Sequence, residues 1–355
     1  MKKNSIARVS DGRFIGLDLS DKQGFLIALA DDGSITEEGK VSMTEAGLHK
    51  EFAARSACRI AIETGGHSPW VSRVLAALGH EVIVANSRQI PLIFRSKRKN
   101  DRLDAESLAR LARLDPELLH PVVHRSERAQ EDLAVLRSRD ALVRTRTSLI
   151  NHVRGVVKAV GARLPSCGAR YFARRAEGEL TEGLKPALAP VLEMIEELTT
   201  KIAWYDQEVE RLARERYPET AVLRQVGGVG PVTSLAFILT LEDPRRFHRS
   251  RDVGAFLGLV PGQRQSGGSD PQLHMTKAGD AFLRRLLIQC GHYIIGPFGK
   301  DCDLRRWGQK LAGSSGKTKK RAVAAVARKL AVLLHRLWQT GAVYEPVRDT
   351  IAAAA

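Results

Sequence analysis

Apolar runs of strand length alternate with turns over the first third of the chain. FIGLDLS and GFLIALA, joined through S-D-K-Q, read as two strands. The turn Asp31–Ser34 (D-D-G-S) leads into ITEEGKVSM, a more polar third strand. Three strands joined by short turns predict an antiparallel meander. TEAGLHKEFAAR has helical character and a Thr44 cap, and HSPWVSRVLAALG is a second helix closed by Gly79. Between them CRIAIE is a strand of the buried type; HEVIVAN is another strand, and DRLDAESLARLAR another helix. The predicted order is β-β-β-α-β-α-β-α. No G-x-G-x-x-G follows the first strand, which excludes a dinucleotide-type start.

From Ser126 the pattern becomes helical. Leu136, Val143, Ile150 and Val157 recur every seven residues, with Val135, Leu142, Leu149 and Val156 beside them, and predict one stripe on a long helix. Gly161, Pro165 and Gly168 break it, and a basic patch of Arg170, Arg174 and Arg175 follows. In the next helix Val191, Ile195, Leu198, Ile202, Tyr205, Val209 and Leu212 alternate spacings of four and three, the a/d pattern of a coiled coil. A helical hairpin inside one core would give the same spacing. The charged and amide flanks favour an exposed coiled coil that serves as an oligomer contact. A third, mainly helical region starts near Ala221. It contains LRQVGGVGPVTSLAFILTL, the loop PGQRQSGGSD, TKAGDAFLRRLLIQCGHYII and GKTKKRAVAAVARKLAVLLHRLW. The expected domains are 1–125, α/β; 126–220, long helices; 221–347, helical with a Gly-rich turn; and a tail, 348–355.

Charge narrows the partners. The chain has 355 residues with 56 Lys+Arg against 40 Asp+Glu, a net charge of +16. That excess suits a polyanion. No apolar run reaches the ~20 residues of a spanning helix, and MKKNSIARVSDGR has no apolar stretch behind its basic residues. Cys58, Cys167, Cys290 and Cys302 show no C-x-x-C spacing, so neither a zinc site nor a disulfide framework is indicated. A cytoplasmic protein is expected.

Three antiparallel strands followed by alternating helices and parallel strands is the order of the ribonuclease-H/RuvC folds. In that topology the first and fourth strands are neighbours. Asp18 on the first and Glu63 at the end of the fourth then meet at one end of the sheet. Asp101 and Asp104, at i and i+3 of the last helix of that domain, share a face. Four converging carboxylates repel one another unless cations lie between them, and an all-oxygen donor set suits Mg²⁺ or Mn²⁺. Two such ions activate a nucleophile and stabilise the leaving oxygen of a phosphodiester. Taken singly, each acid has an ordinary use: a bond to a backbone amide, a turn cap, or a surface ion pair with Lys97, Arg98, Lys99 or Arg102, worth ~0.5 kcal/mol. The joint pattern favours the metal.

Three further stretches carry candidate nucleic-acid chemistry. Val226–Thr233 (V-G-G-V-G-P-V-T) resembles a helix-hairpin-helix turn. Gly228 and Gly230 would let backbone approach a phosphate, and Pro231 suits a first helical position. An ordinary loop between packed helices is the plainer reading. In Gln263–Ser269, glycines leave the Ser266 hydroxyl open beside Arg264, although composition alone reads as a flexible loop. His248 and His274 are near in sequence, but no G-x-S-x-G is present. Lys277, Arg284, Arg285, Lys317, Lys319, Lys320 and Arg321 offer phosphate contacts or a solvated face. With 5% aromatics, base stacking looks secondary.

GLDLSD, AIETGG, KNDRLDAESLAR, GGVGPVTSLAFILTLEDPRRF, FLGLVPGQRQSGG, MTKAGDAFLRRLLI and GPFGKDCDLRRWG together resemble the DEDD transposases of insertion sequences, the IS110 family, over nearly the whole chain. The resemblance implies a RuvC-like domain, a coiled-coil segment and a C-terminal transposase domain. It implies that Asp18, Glu63, Asp101 and Asp104 bind divalent metal and that Ser266 is the nucleophile. The family's loop usually ends S-S-G; here it reads R-Q-S-G-G, with Gln265 in place of the first serine. The implied activity is bridge-RNA-guided DNA recombination through a phosphoserine link. The implied partners are double-stranded DNA, a guide RNA and further copies of the chain, at the bacterial nucleoid. A RuvC-like endonuclease using water as nucleophile is the alternative. A non-enzymatic scaffold is disfavoured because all four acids are present.

Overall fold

A computed structural model describes residues 14–86, 89–90, 100–271, 273–313 and 316–347, without the side chain of Lys317. Lys97, Arg98 and Lys99, and the tail 348–355, lie outside the described residues. The chain divides into two compact units, 1–127 and 128–355.

The first unit is built on a five-stranded sheet. β1 (Phe14–Asp18), β2 (Gln23–Leu29) and β3 (Ile35–Ser42) form the predicted meander. Helix α1 (Glu45–Phe52) follows, its Thr44 cap accepting from the Gly47 amide at 3.1 Å. β4 (Arg59–Glu63), α2 (Ser68–Ala77), β5 (Glu81–Ala85) and α3 (Asp101–Leu114) complete the unit. The spatial order is β3-β2-β1-β4-β5, with β1 parallel to β4 and β4 parallel to β5. This is the topology expected from the sequence.

Strand alternation sorts the side chains into two layers. Ile15, Leu17, Ile60, Ile62 and Val84 pack with Leu48, Phe52, Val71 and Leu75, from α1 and α2. The intervening Ala61, Ile83 and Ala85 pack with Leu108, Leu111 and Ala112 of α3. Gly16 faces α3 as well, and a Cβ there would lie 1.9 Å from the Ala105 carbonyl oxygen and 2.6 Å from the Ala109 nitrogen. Only glycine lets α3 lie this close to β1.

In the second unit α4 (Glu127–Ala159) and α6 (Lys185–Glu215) run antiparallel, tied by Arg139–Asp206 (2.6 Å) and by Arg146 donating to Thr199 (3.1 Å). A short α5 (Phe172–Glu177) covers the far end, where Ile150, Val153 and Val157 meet Phe172, Leu188 and Ile195. The a/d stripe of α6 is therefore spent inside the chain: Ile195, Ile202, Val209 and Leu212 are all buried. This corrects the expectation of an exposed coiled coil. The spacing is right, but the partner helix is α4 of the same chain.

At the near end Leu133, Leu136, Val209 and Leu212 merge with the core of the C-terminal helices. These are α7 (Thr220–Leu223), α8 (Pro231–Leu241), α9 (Asp252–Phe256), α10 (Ala281–Ile295), α11 (Asp303–Ala312) and α12 (Gly316–Thr340). α8 is apolar all round and buried from Thr233 to Leu241, as the central helix of a bundle should be. No described helix is long and apolar enough to cross a membrane.

Candidate active site and nucleic-acid contacts

The direction of α3 follows from three contacts. Arg59, opposite Phe14 at the start of the parallel pair, donates to the Ala112 carbonyl (3.2 Å), near the C-terminal end of α3. Gly16, one step along, meets Ala105 and Ala109. Further along still stand Asp18 and Glu63, the last residues of β1 and β4. α3 thus runs antiparallel to both strands, and its N-terminal turn, with Asp101 and Asp104, lies at their carboxyl edge. The alternation that turns Gly16 and Ala61 towards α3 turns Asp18 and Glu63 to the same face. All four acids share one edge and one face of the first unit.

Local capping fixes that edge. The Asn100 side chain accepts from the Leu103 amide at 2.8 Å and starts α3. Asp104 is buried, Asp101 exposed, and Asp18 and Glu63 half-buried. Arg102 pairs with Glu38 (2.9 Å) and Glu106 (3.4 Å). After Glu63 the loop is stapled by the fully buried Ser68. Its hydroxyl accepts from the Gly65 amide (3.0 Å), donates to the Gly65 carbonyl (2.9 Å) and meets His124 Nε2 at 2.9 Å.

A second contact across the edge was not singled out from the sequence. Trp70 Nε1 donates to His67 Nδ1 (3.2 Å), which leaves Nε2 as the donor to Asp21 (3.1 Å). The only local signal is position: Asp21 lies just past Asp18 and His67 just past Glu63. Among the described residues no three His, Cys, Asp or Glu side chains are grouped tightly enough to hold a metal ion. The donor chemistry nevertheless fits a hard divalent cation, since every candidate ligand at Asp18, Glu63, Asp101 and Asp104 is a carboxylate oxygen.

In the second unit the Ser266 segment is a hairpin-like loop closed by two isolated bridges, Pro261 with Met275 and Ser266 with Ser269. Thr276 N donates to the Val260 carbonyl and Gly262 N to the His274 carbonyl, both at 2.9 Å. At the tip Ser266 and Ser269 exchange both backbone hydrogen bonds, at 3.2 and 3.1 Å, around Gly267-Gly268. Gly267 takes a φ of +56°, which suits a two-residue turn. The loop read from composition doubles back on itself, with Arg264, Gln265 and Ser266 exposed near its end. Among the described residues no histidine or carboxylate hydrogen-bonds to the Ser266 hydroxyl, and neither His248 nor His274 forms a triad with it.

The feet of this hairpin are locked together. Gly258 and Gly279 have φ of +65° and +69°, and a Cβ on Gly279 would fall 2.0 Å from the Phe256 carbonyl oxygen. Lys277, a non-glycine, also sits in the left-handed region at φ +55°. Arg284 bridges the two feet, donating to the Leu257 (3.0 Å) and Ala278 (2.6 Å) carbonyls. Arg285 is held by the buried Asp140 at 2.6 Å. Both arginines, read from sequence as phosphate contacts, have internal partners. Lys277 lines an open groove instead.

The turn at Val226–Pro231 closes with Val229 N donating to the Val226 carbonyl (3.0 Å). Gly228 has φ +91°, and its missing Cβ makes room for the Tyr293 ring, whose Cδ1 would be 2.6 Å away. Gly230 begins α8 in extended conformation with open space around it. The helix before the turn, α7, is a single turn of four residues.

A mixed sheet of this order, with helices packed on both faces, is consistent with a ribonuclease-H-like first unit. Comparison with known proteins agrees. Residues 15–161 match the family model of DEDD transposases of the IS110 type, described as "Transposase", and residues 220–298 match "Transposase IS116/IS110/IS902 family". A probable family 20 transposase of Pseudomonas aeruginosa is 30% identical over 94% of this chain and 98% of its own length. The transposase for insertion sequence element IS1111A of Coxiella burnetii is 28% identical over 93% and 90%. That for IS1328 of Yersinia enterocolitica is 30% identical over 79% and 83%. The chain belongs to the IS110 family of insertion-sequence transposases.

Proposed function

We propose that this transposase is an RNA-guided DNA recombinase that moves its insertion sequence through a covalent phosphoserine link. The observation that carries the reading is the Ser266 hairpin. A hydroxyl stands exposed on a two-residue turn, and the hairpin's feet are clamped by Arg284 and by two left-handed glycines. Rigid presentation of a weak nucleophile is worth little for binding and much for attack, because orientation is settled before the reaction.

In this reading Ser266 Oγ attacks the scissile phosphorus. A P–Oγ bond forms, the P–O bond to one sugar breaks, and that sugar oxygen leaves with a proton. The ester conserves the energy of the broken bond. A sugar hydroxyl of the exchanged strand then attacks the same phosphorus and expels Ser266 Oγ, which regains its proton. Asp18, Glu63, Asp101 and Asp104 would hold Mg²⁺ or Mn²⁺, which when bound supplies Lewis-acid stabilisation of charge on the phosphodiester. The net charge of +16 supports backbone-dominated contact with duplex DNA and with a guide RNA that reads the sequence.

The test is a cleavage reaction on labelled DNA, resolved on a denaturing gel. Wild-type protein should yield a protein–DNA adduct, Ser266→Ala neither adduct nor nick, and Asp18→Asn likewise neither. Continued nicking by Ser266→Ala would replace the reading with that of a hydrolase using water. The guide is tested by sequencing RNA that co-purifies with the chain; random fragments of cellular RNA would count against it.

A further inference from the structure

Beside the foot of the Ser266 hairpin, the second unit carries an open groove of about 1350 Å³. Its walls are α12, α11, the hairpin stem at Pro261 and Met275, and the segment 342–346. A pocket for a small molecule rarely exceeds ~1,000 Å³ and encloses its ligand. This groove is larger and is open to solvent, so it fits a polymer.

Its chemistry is divided. Seven of the lining residues are Lys or Arg and two are Asp or Glu. Arg321, Arg328 and Arg336 form a stripe on α12, at spacings of seven and eight residues that keep them on one face. From first to last the stripe spans about 22 Å of helix. All three are exposed, and among the described residues none is paired with a carboxylate, in contrast to Arg285. The floor beside the stripe is apolar: Leu259, Leu273, Leu304, Leu333 and Trp307. Trp307 is held in place by the Lys329 ammonium, 3.8 Å from its ring centre.

A duplex shows a protein mostly phosphates and sugars, and has no use for an apolar floor. An unpaired strand presents phosphates on one side and unstacked bases on the other, and the groove offers a matching surface to each. We infer that the groove between α12 and the Ser266 hairpin binds single-stranded nucleic acid, with its phosphates on Arg321, Arg328 and Arg336 and its bases over Leu333 and Trp307. The inference rests on the reading of this chain as a nucleic-acid-processing enzyme. It adds that the strand beside the nucleophile is held unpaired. Displaced DNA and unpaired guide RNA share this chemistry.

The experiment uses full-length Ser266→Ala protein, so that binding is read without cleavage. Fluorescein-labelled oligonucleotides of about twenty nucleotides, a length that covers one such site, are titrated as single-stranded DNA, single-stranded RNA and blunt duplex DNA. Adding Arg321→Ala and Arg336→Ala should weaken single-strand binding about tenfold and flatten its log–log salt slope by about 1.4, the value for two lost phosphate contacts. Duplex binding should stay within twofold. Arg170→Ala/Arg174→Ala, which removes the same charge elsewhere, should change neither. The preferred strand, DNA or RNA, identifies the source.

Equal losses for strand and duplex, or unchanged single-strand binding, would overturn the inference. Should the double variant unfold, crosslinking of 4-thiothymidine or 4-thiouridine strands to Ser266→Ala protein decides. Crosslinks are expected in α12 and the hairpin stem; crosslinks confined to other segments refute the groove. The recombinase reading fails separately, through absence of the Ser266 adduct, and that result would leave strand binding untouched.

Discussion

Replacing Gly16 by alanine probes how the acid edge is built. A Cβ at this position lies 1.9 Å from the Ala105 carbonyl oxygen, in the first half of α3. A carbon–oxygen approach is ordinarily about 3.3 Å, so α3 must retreat by roughly 1.4 Å or the strand must bend. Overpacking of this kind costs about 1–3 kcal/mol. For a chain of this size that lowers the melting temperature by a few degrees, about 2–4 °C per kcal/mol. The retreat also carries the first turn of α3, with Asp101 and Asp104, away from Asp18 and Glu63. A displacement of ~1 Å in a catalytic constellation can cost about 100-fold in rate. Gly16→Ala should therefore remain folded, melt a few degrees lower, and cleave DNA about two orders of magnitude more slowly. Gly39→Ala is the control, because nothing lies within 4 Å of a Cβ there. Circular dichroism melting and single-turnover cleavage read the two effects. A Gly16→Ala protein that melts and cleaves like wild type would refute the close approach of α3 as the device that assembles the acids.

Asp101→Ala, at an exposed position, should leave the melting temperature unchanged and abolish strand cleavage; near-wild-type cleavage would remove it from the catalytic set. Ile195→Asp puts a charge into the buried seam of the α4–α6 hairpin and should lower stability by several kcal/mol; a drop in oligomer mass with unchanged melting would restore the exposed coiled coil. Arg284→Ala removes the bridge between the hairpin feet and should raise amide exchange across 258–279 while leaving the salt slope of duplex binding unaltered; a flatter slope would make it a phosphate contact after all. Burial holds the His335 imidazole below its ordinary pKa. The unfolded chain therefore takes up a proton at this residue before the folded one does, and stability should fall as pH drops below about 6.5. His335→Gln should flatten that slope between pH 5 and 7, and an unchanged slope would count against it.

The first unit was legible because both kinds of information it needs are local. Alternation of apolar residues along β1 and β4 names strands, short turns name the meander, and the acids fall at strand ends and at a capped helix start. Other features needed partners distant in sequence. The a/d spacing of α6 reveals a stripe but not which helix covers it, and α4 begins more than fifty residues earlier. The tight turn at Gly228 is legible in the sequence, but its neighbour, the ring of Tyr293, is not. Arg284 and Arg285 looked like free charge because a carbonyl leaves no mark in a sequence and Asp140 is 145 positions away. The Ser266 hairpin has no apolar alternation to announce it. It is closed by two isolated bridges and a Gly-Gly turn rather than by paired strands, and composition reads such a segment as a loop.

The most direct measurement is the chemical identity of the protein–DNA link. Wild-type protein trapped on cleaved DNA is digested with nuclease and protease, and the nucleotide-bearing peptide is sequenced by mass spectrometry. A nucleotide phosphate esterified to Ser266 is expected. Cleavage with no nucleotide on any peptide, or one attached to a different residue, would contradict it.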